Sequence, residues 1–178
     1  MPLYAVQVET RREYRVCGAM QALLDASSVE GCRKTRCVVP YTEISKRVRG
    51  IWQTEPMPLF PGYVLVETDI PDQCDALFRA VPGFIRFVLL GEKLVPLARH
   101  EVERISIWID QKDHLFRMSK GVLEEGGRAV VIEGPLRGHE GLIVKVNRHK
   151  RLAFLEMPFL GRLTVIKVGL EIVSGATS

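Results

Sequence analysis

Between residues 128 and 173 five short apolar runs follow one another closely: RAVVI (128–132), GLIVKV (141–146), LAFLEM (152–157), RLTVIKV (162–168) and LEIV (170–173). Gly/Pro pairs or basic clusters divide them. Runs this short are strand-sized, and turns at this spacing leave few options beyond a small all-β barrel.

The chain before Asp110 has a different rhythm. YAVQVET (4–10) alternates like a half-buried strand. Thr10-Arg11-Arg12-Glu13 fits a capping box, and Val16, Met20, Leu23 and Leu24 then form one helical stripe that Ser27-Ser28 ends. CVVP (37–40) reads as a short strand and PGYVLVET as the next. Pro71 suits the first turn of a second helix, whose Cys74, Leu77, Phe78 and Val81 share a face. Pro82-Gly83 stops it, FIRFVLL (84–90) is a strand, and a third helix starts near Ala98 with Val102, Ile105 and Ile109 inward. The order β-α-β-β-α-β-α predicts an antiparallel sheet with helices packed on one face. Residues 111–121 (QKDHLFRMSKG) show no period and read as a linker. The expected fold class is therefore α+β, with a sheet-and-helix domain over 1–110, a linker over 111–121 and a β-barrel domain over 122–178.

Composition narrows the function. A hydrophobic content of 47% suits a folded globular protein, and no run of 18 apolar residues exists to span a membrane. Met1-Pro2-Leu3-Tyr4 has neither a basic nor an apolar leader region, so the expected location is the cytoplasm. Cys32 and Cys37 form a single spaced pair; Cys17 and Cys74 stand apart, and the nearest histidine is His100. Reduced thiols are expected, with no metal and no cofactor. His100, His114, His139 and His149 show no triad spacing, and Glu124-Glu125 sit in a turn, so no catalysis is expected.

The charge is unevenly spread. Residues 1–115 hold 15 basic and 15 acidic side chains, whereas 116–178 hold 10 and 6, which places the whole net charge of +4 in the last third. Within the balanced part, residues 33–49 carry six basic residues against Glu43 alone. Two separated basic clusters point to a polyanionic partner, with solvated surface charge as the plainer reading.

Two motifs remain. In LFPGYVLVE (59–67), Phe60-Pro61-Gly62-Tyr63 is a turn placed directly before a strand. Its aromatics either cover a sheet edge or present themselves to a partner. In EGPLRGHEG (133–141), Gly141 opens a strand and no Gly-Lys-Ser/Thr follows, so the loop is a strand connection and not a phosphate cradle.

Gly134-Pro135-Leu136-x-Gly138-x-x-Gly141 with its flanking strands resembles a KOW motif. LFPGYVLVE and VPGFIRFV resemble the N-terminal (NGN, RNP-like) domain of the NusG family, and the likeness runs from Tyr4 to about Val173 in that family's domain order. The basic segment before LFPGY and the ending FLGRLTVIKVGLEIV resemble the LoaP-type specialised antiterminators. One departure stands out: the family often has Trp-Tyr where this chain has Leu3-Tyr4.

The resemblance implies an SH3-like KOW barrel and an N-terminal domain that docks on the clamp helices of RNA polymerase. Phe60, Pro61, Gly62 and Tyr63 would be the polymerase-binding turn, with the aromatics as anchors. Arg47, Arg49 and Trp52 are candidates for upstream-fork DNA. Lys145, Arg148, His149, Lys150 and Arg151 crowd one barrel turn, with Arg137 and His139 on the neighbouring loop. No acid lies between Glu140 and Glu156. These residues are the candidates for capturing a structured nascent RNA, probed by shape and phosphates. Phe159, Leu160, Gly161 and Arg162 match the loop that in the family contacts Rho or a ribosomal protein. That keeps open a housekeeping factor, and a general RNA-binding or ribosome-associated module is the third reading. The protein is expected to act as a monomer.

Overall fold

The computed structural model describes residues 1–173; residues 174–178, the end of the expected C-terminal domain, lie outside the described residues. The chain begins with β1 (Leu3–Val8), α1 (Glu13–Ala26), α2 (Glu30–Lys34) and β2 (Arg36–Val38). A hairpin of β3 (Tyr41–Val48) and β4 (Ile51–Pro58) precedes β5 (Tyr63–Glu67), α3 (Pro71–Phe78) and β6 (Phe84–Phe87). Then come β7 (Leu89–Leu90), β8 (Lys93–Leu94), α4 (Arg99–Trp108), β9 (Leu115–Phe116), β10 (Ser119–Leu123) and β11 (Ala129–Glu133). After a 3-10 turn at Glu140–Leu142, β12 (Ile143–Asn147), β13 (Leu152–Phe159) and β14 (Arg162–Ile172) close the order. The result is α+β, as the sequence predicts. It forms two compact units: Met1–Pro40 with Phe60–Val102, and Tyr41–Leu59 with the chain from Glu103 onward.

The first unit holds an antiparallel sheet in the order β2-β5-β1-β6. Val6, Val8, Val64 and Val66 are buried in it, as is the helical stripe Val16, Met20 and Leu24. Phe78 of α3 stacks on Phe87 of β6 at 6.1 Å between centroids with the rings parallel. Burying side chains of this size contributes roughly 1.5–3 kcal/mol each. Thr35 and Thr68 exchange a buried hydroxyl hydrogen bond of 2.8 Å, and the Thr68 hydroxyl also accepts the Ile70 amide (3.1 Å) just before α3.

Two local expectations change here. Thr10 does not cap α1: the N-cap position is Arg12, with no side-chain cap, and Arg11 takes φ 72°. Glu13 is drawn instead to a buried donor, the Gly62 amide (2.8 Å), which would otherwise lack a partner. FIRFVLL is not one strand either. It stops at Phe87, and Leu89–Leu90 folds back on Lys93–Leu94 around Gly91.

The second unit contains a five-stranded sheet in the order β11-β10-β14-β13-β12 and a three-stranded sheet β4-β3-β9. The long β3–β4 hairpin pairs Tyr41–Val48 with Ile51–Pro58 where the sequence shows no clear alternation. Its two-residue turn puts Arg49 and Gly50 at φ 50° and 82°, the left-handed pair of a type I′ turn. Pro56 and Pro58 fall on β4, at the sheet edge where no ladder donor is needed.

Residues 111–121 carry strand β9 and the start of β10, and Phe116 is fully buried against Trp108 (5.4 Å between centroids). The runs RLTVIKV and LEIV are one eleven-residue strand, β14, continuous through Gly169. A side chain there would collide with the Glu43 carbonyl and with Met118. The C-terminal end of β14 then pairs in parallel with β10, Ser119 opposite Leu170. Gly141 lies in the 3-10 turn, so β12 starts two residues later than expected, at Ile143.

Candidate nucleic-acid interface

The β12–β13 connection is a four-residue turn, Arg148 to Arg151, between the paired residues Asn147 and Leu152. The Asn147 side-chain oxygen accepts the Lys150 amide (3.0 Å), and Arg151 closes the turn at φ 51°. That geometry leaves Arg148, His149 and Lys150 exposed and turns Arg151 aside. The Arg151 guanidinium lies 4.0 Å from the centroid of the Trp52 ring, on β4, and 3.5 Å from the Glu171 carboxylate. A cation on an indole face adds roughly 0.5–2 kcal/mol, according to its exposure. Arg151 thus ties the barrel turn to the β3–β4 hairpin.

Arg47, directly opposite Trp52 in the hairpin register, donates to the Gly50 carbonyl (3.2 Å). Arg47 and Trp52 from the hairpin, with Arg148, His149 and Arg151 from the barrel, line one hollow of about 550 Å³ that also contains Glu171. Residues from two separate stretches of sequence therefore converge on one site. A second hollow of about 410 Å³ adds Lys46 and Lys150, and a third of about 390 Å³ adds Arg128 and Lys145.

Lys145 is exposed on β12. A register shift between Ile143 and Lys145 makes a bulge that also exposes Val144. Lys145 and Lys167 place their ammonium groups 5.5 and 5.9 Å from the Phe154 ring centroid. Glu140 holds its carboxyl below the usual range, because it accepts backbone hydrogen bonds, among them the Val131 amide at 3.1 Å.

Not every candidate joins this site. Arg49 is exposed at the hairpin tip, Arg137 is exposed on its glycine-rich loop, and His139 packs edge-on to Trp108 at 5.6 Å; none of them lines these three hollows. Lys46, Arg128 and Lys167 were missed. Lys46 lies inside the basic segment 33–49, but only the fold brings it to the same hollow as Lys150. Arg128 and Lys167 had no local signal.

The Phe60–Tyr63 turn is type II: the Tyr63 amide donates to the Phe60 carbonyl (3.1 Å), Pro61 sits second, and Gly62 third at φ 85°. Phe60 is buried, Pro61 exposed and Tyr63 half-buried. In the Phe159–Arg162 turn Phe159 is buried, whereas Leu160 is half-buried and Gly161 and Arg162 are exposed. Leu163 and Val165, just beyond it on β14, are 72% and 53% exposed. Among the described residues no three His, Cys, Asp or Glu side chains gather as a metal cluster. Nor is any described helix long and apolar enough to cross a membrane.

Residues 1–106 match the family model described as transcription termination factor NusG, and residues 125–163 match the KOW motif. The transcription termination/antitermination protein NusG of Pasteurella multocida is 25% identical over 166 residues, covering 93% of this chain and 90% of that protein. Its counterpart from Streptococcus pyogenes serotype M1 is 32% identical over 114 residues, 62% of this chain and 61% of that one. A solved structure describing domain interaction in Thermotoga maritima NusG shares the fold, with a TM-score of 0.52 at 20% identity over 94% of this chain and 93% of that one. With a family model spanning more than half of its length, this chain belongs to the NusG family.

Proposed function

We propose that this chain is a transcription elongation and antitermination factor of the LoaP type. Its N-terminal domain, drawn at residues 1–110, holds RNA polymerase. Its KOW domain, 122–178, captures a structured nascent RNA, with 111–121 joining the two. Keeping polymerase in its closed, elongating state would suppress pausing and termination by mass action, with no chemical step. The observation that carries the RNA half is the convergence of Arg47 and Trp52 with Arg148, His149 and Arg151 around one hollow. A concave, mainly cationic surface suits phosphates more than an uncharged partner. On the polymerase side, Pro61 and Tyr63 are the contact residues of the Phe60–Tyr63 turn, with Phe60 and Gly62 setting its shape. Arg49, at the hairpin tip, is the residue for upstream-fork DNA.

A second reading has its own observation. Leu163 and Val165 are exposed beside the Phe159–Arg162 turn, and apolar side chains there suit a protein such as Rho or a ribosomal protein. One experiment separates the two: retention of a hairpin leader RNA, of Rho and of ribosomes on the immobilised full-length protein. Capture of the RNA alone supports the first reading; capture of Rho or ribosomes alone replaces it with the second.

A further inference from the structure

The three hollows of the second unit form a series. Trp52 borders the hollows of about 550 and 410 Å³, and Arg148 borders those of about 550 and 390 Å³. Each volume is within the few hundred Å³ that a small planar ligand fills. Their linings mix apolar surface with cations. Ile44 and Leu152 line one end beside Lys46 and Lys150. Leu123, Val144 and Val146 line the other beside Arg128 and Lys145. Each hollow holds one carboxylate, and each is already engaged: Glu55 with Lys46 (3.7 Å), Glu171 with Arg151 (3.5 Å) and Glu140 with the Val131 amide (3.1 Å).

A duplex uses only the rims of such a surface: its phosphates meet the cations, but its bases are stacked inside and leave the apolar hollows unfilled. A single strand uses both, since unstacked bases enter the hollows while its phosphates meet the cations on the rims. We propose that the β3–β4 hairpin and the barrel together bind a single-stranded RNA segment along these three hollows, with Trp52 and Arg148 separating successive nucleotides. The proposal deepens the RNA-capture reading and rests on it: the strand is the unpaired flank of the captured hairpin. Trp52 is fixed for the task by Arg151 on its ring, and the bulge at Val144 supplies apolar surface next to Lys145. Lys46 and Arg128 join the binding residues on this account.

The test compares one fluorescently labelled RNA hairpin with a blunt end and the same hairpin with an unpaired uridine tail, each titrated with the full-length protein. A tail of about six nucleotides tightens binding about ten-fold through stacking and added phosphate contacts. In Trp52→Ala and in Arg128→Ser that ratio falls towards one, whereas Trp52→Phe retains most of it. Thermal melting checks that each variant is folded. Should Trp52→Ala not fold, the exposed Arg128→Ser decides. Equal binding of tailed and blunt hairpins overturns the single-strand track while leaving RNA capture standing. A tail effect that survives both variants overturns it too, and failure of both RNAs to bind removes the RNA reading itself.

Discussion

The Glu13 carboxylate, at the first residue of α1, accepts the backbone amide of Gly62 at 2.8 Å, so the helix start holds the Phe60–Tyr63 turn in place. Both residues are buried. The turn before β5 is therefore preset by a contact 49 positions away in sequence. Glu13→Ala removes the acceptor and leaves a buried amide without a partner, which costs about 1–3 kcal/mol. Urea unfolding measures it. A loss near zero would mean that the contact does not hold the turn.

The two aromatics of that turn have separate duties. Phe60→Ala should destabilise the protein by about 3 kcal/mol, because it empties a buried site. Tyr63→Ala, at a half-buried position, should lower stability less than Phe60→Ala does and weaken polymerase binding by about 2 kcal/mol if Tyr63 is an anchor. Calorimetry and a polymerase pull-down read the two effects. Unaltered polymerase binding by folded Tyr63→Ala would confine the turn to packing.

Much of this fold was legible in the residues, and the exceptions have physical causes. The stripe Val16, Met20 and Leu24 announces α1 because one face of it is buried, and β13 alternates for the same reason. β1 is a strand as expected but not a half-buried one: it lies inside its sheet, with Tyr4, Ala5 and Val6 all buried. The hairpin 41–58 went unread because its solvent side breaks the alternation and its turn uses Arg49-Gly50 in place of Asn-Gly. Strands β9 and β10 were lost in an aperiodic stretch whose buried residues, Phe116 and Ser119, are set by tertiary pairing. Both basic clusters of the site were visible. Their convergence was not, since it depends on the contact between Trp52 and Arg151.

Thr42, in β3, is buried with no hydrogen-bond partner for its hydroxyl. Thr42→Val keeps the shape and removes the unsatisfied group, so it should stabilise the protein by up to about 1 kcal/mol. Thermal or urea unfolding checks this, and a clear destabilisation would show that the hydroxyl has a partner in solution.

Alkaline pH tests the buried thiols. Burial pushes the Cys17 thiol up to about 11, and burial with neighbouring Cys17 and Cys74 pushes Cys37 up further. The folded state then holds protons that the unfolded state releases first, so this stability is full below the ordinary thiol range and falls as pH rises. For Cys17 the loss runs from about pH 9 to about 11. Cys17→Ala should flatten that part of the melting-temperature profile, and an identical slope in the variant would contradict the shift.

The salt dependence of RNA binding tests the central claim most directly. Lys145, Arg148 and Lys150 are exposed, whereas Arg151 is held by Trp52 and Glu171, so the first three are the free phosphate contacts. Wild-type affinity for a hairpin RNA, plotted as log K against log salt, should fall with a slope of roughly −2 to −3. Replacing Lys145, Arg148 and Lys150 by Ser should flatten the slope by roughly two to three units while polymerase binding stays intact. A wild-type slope near zero, or one that the triple variant leaves unchanged, would contradict RNA capture at this site and leave the protein-binding reading at Phe159–Arg162.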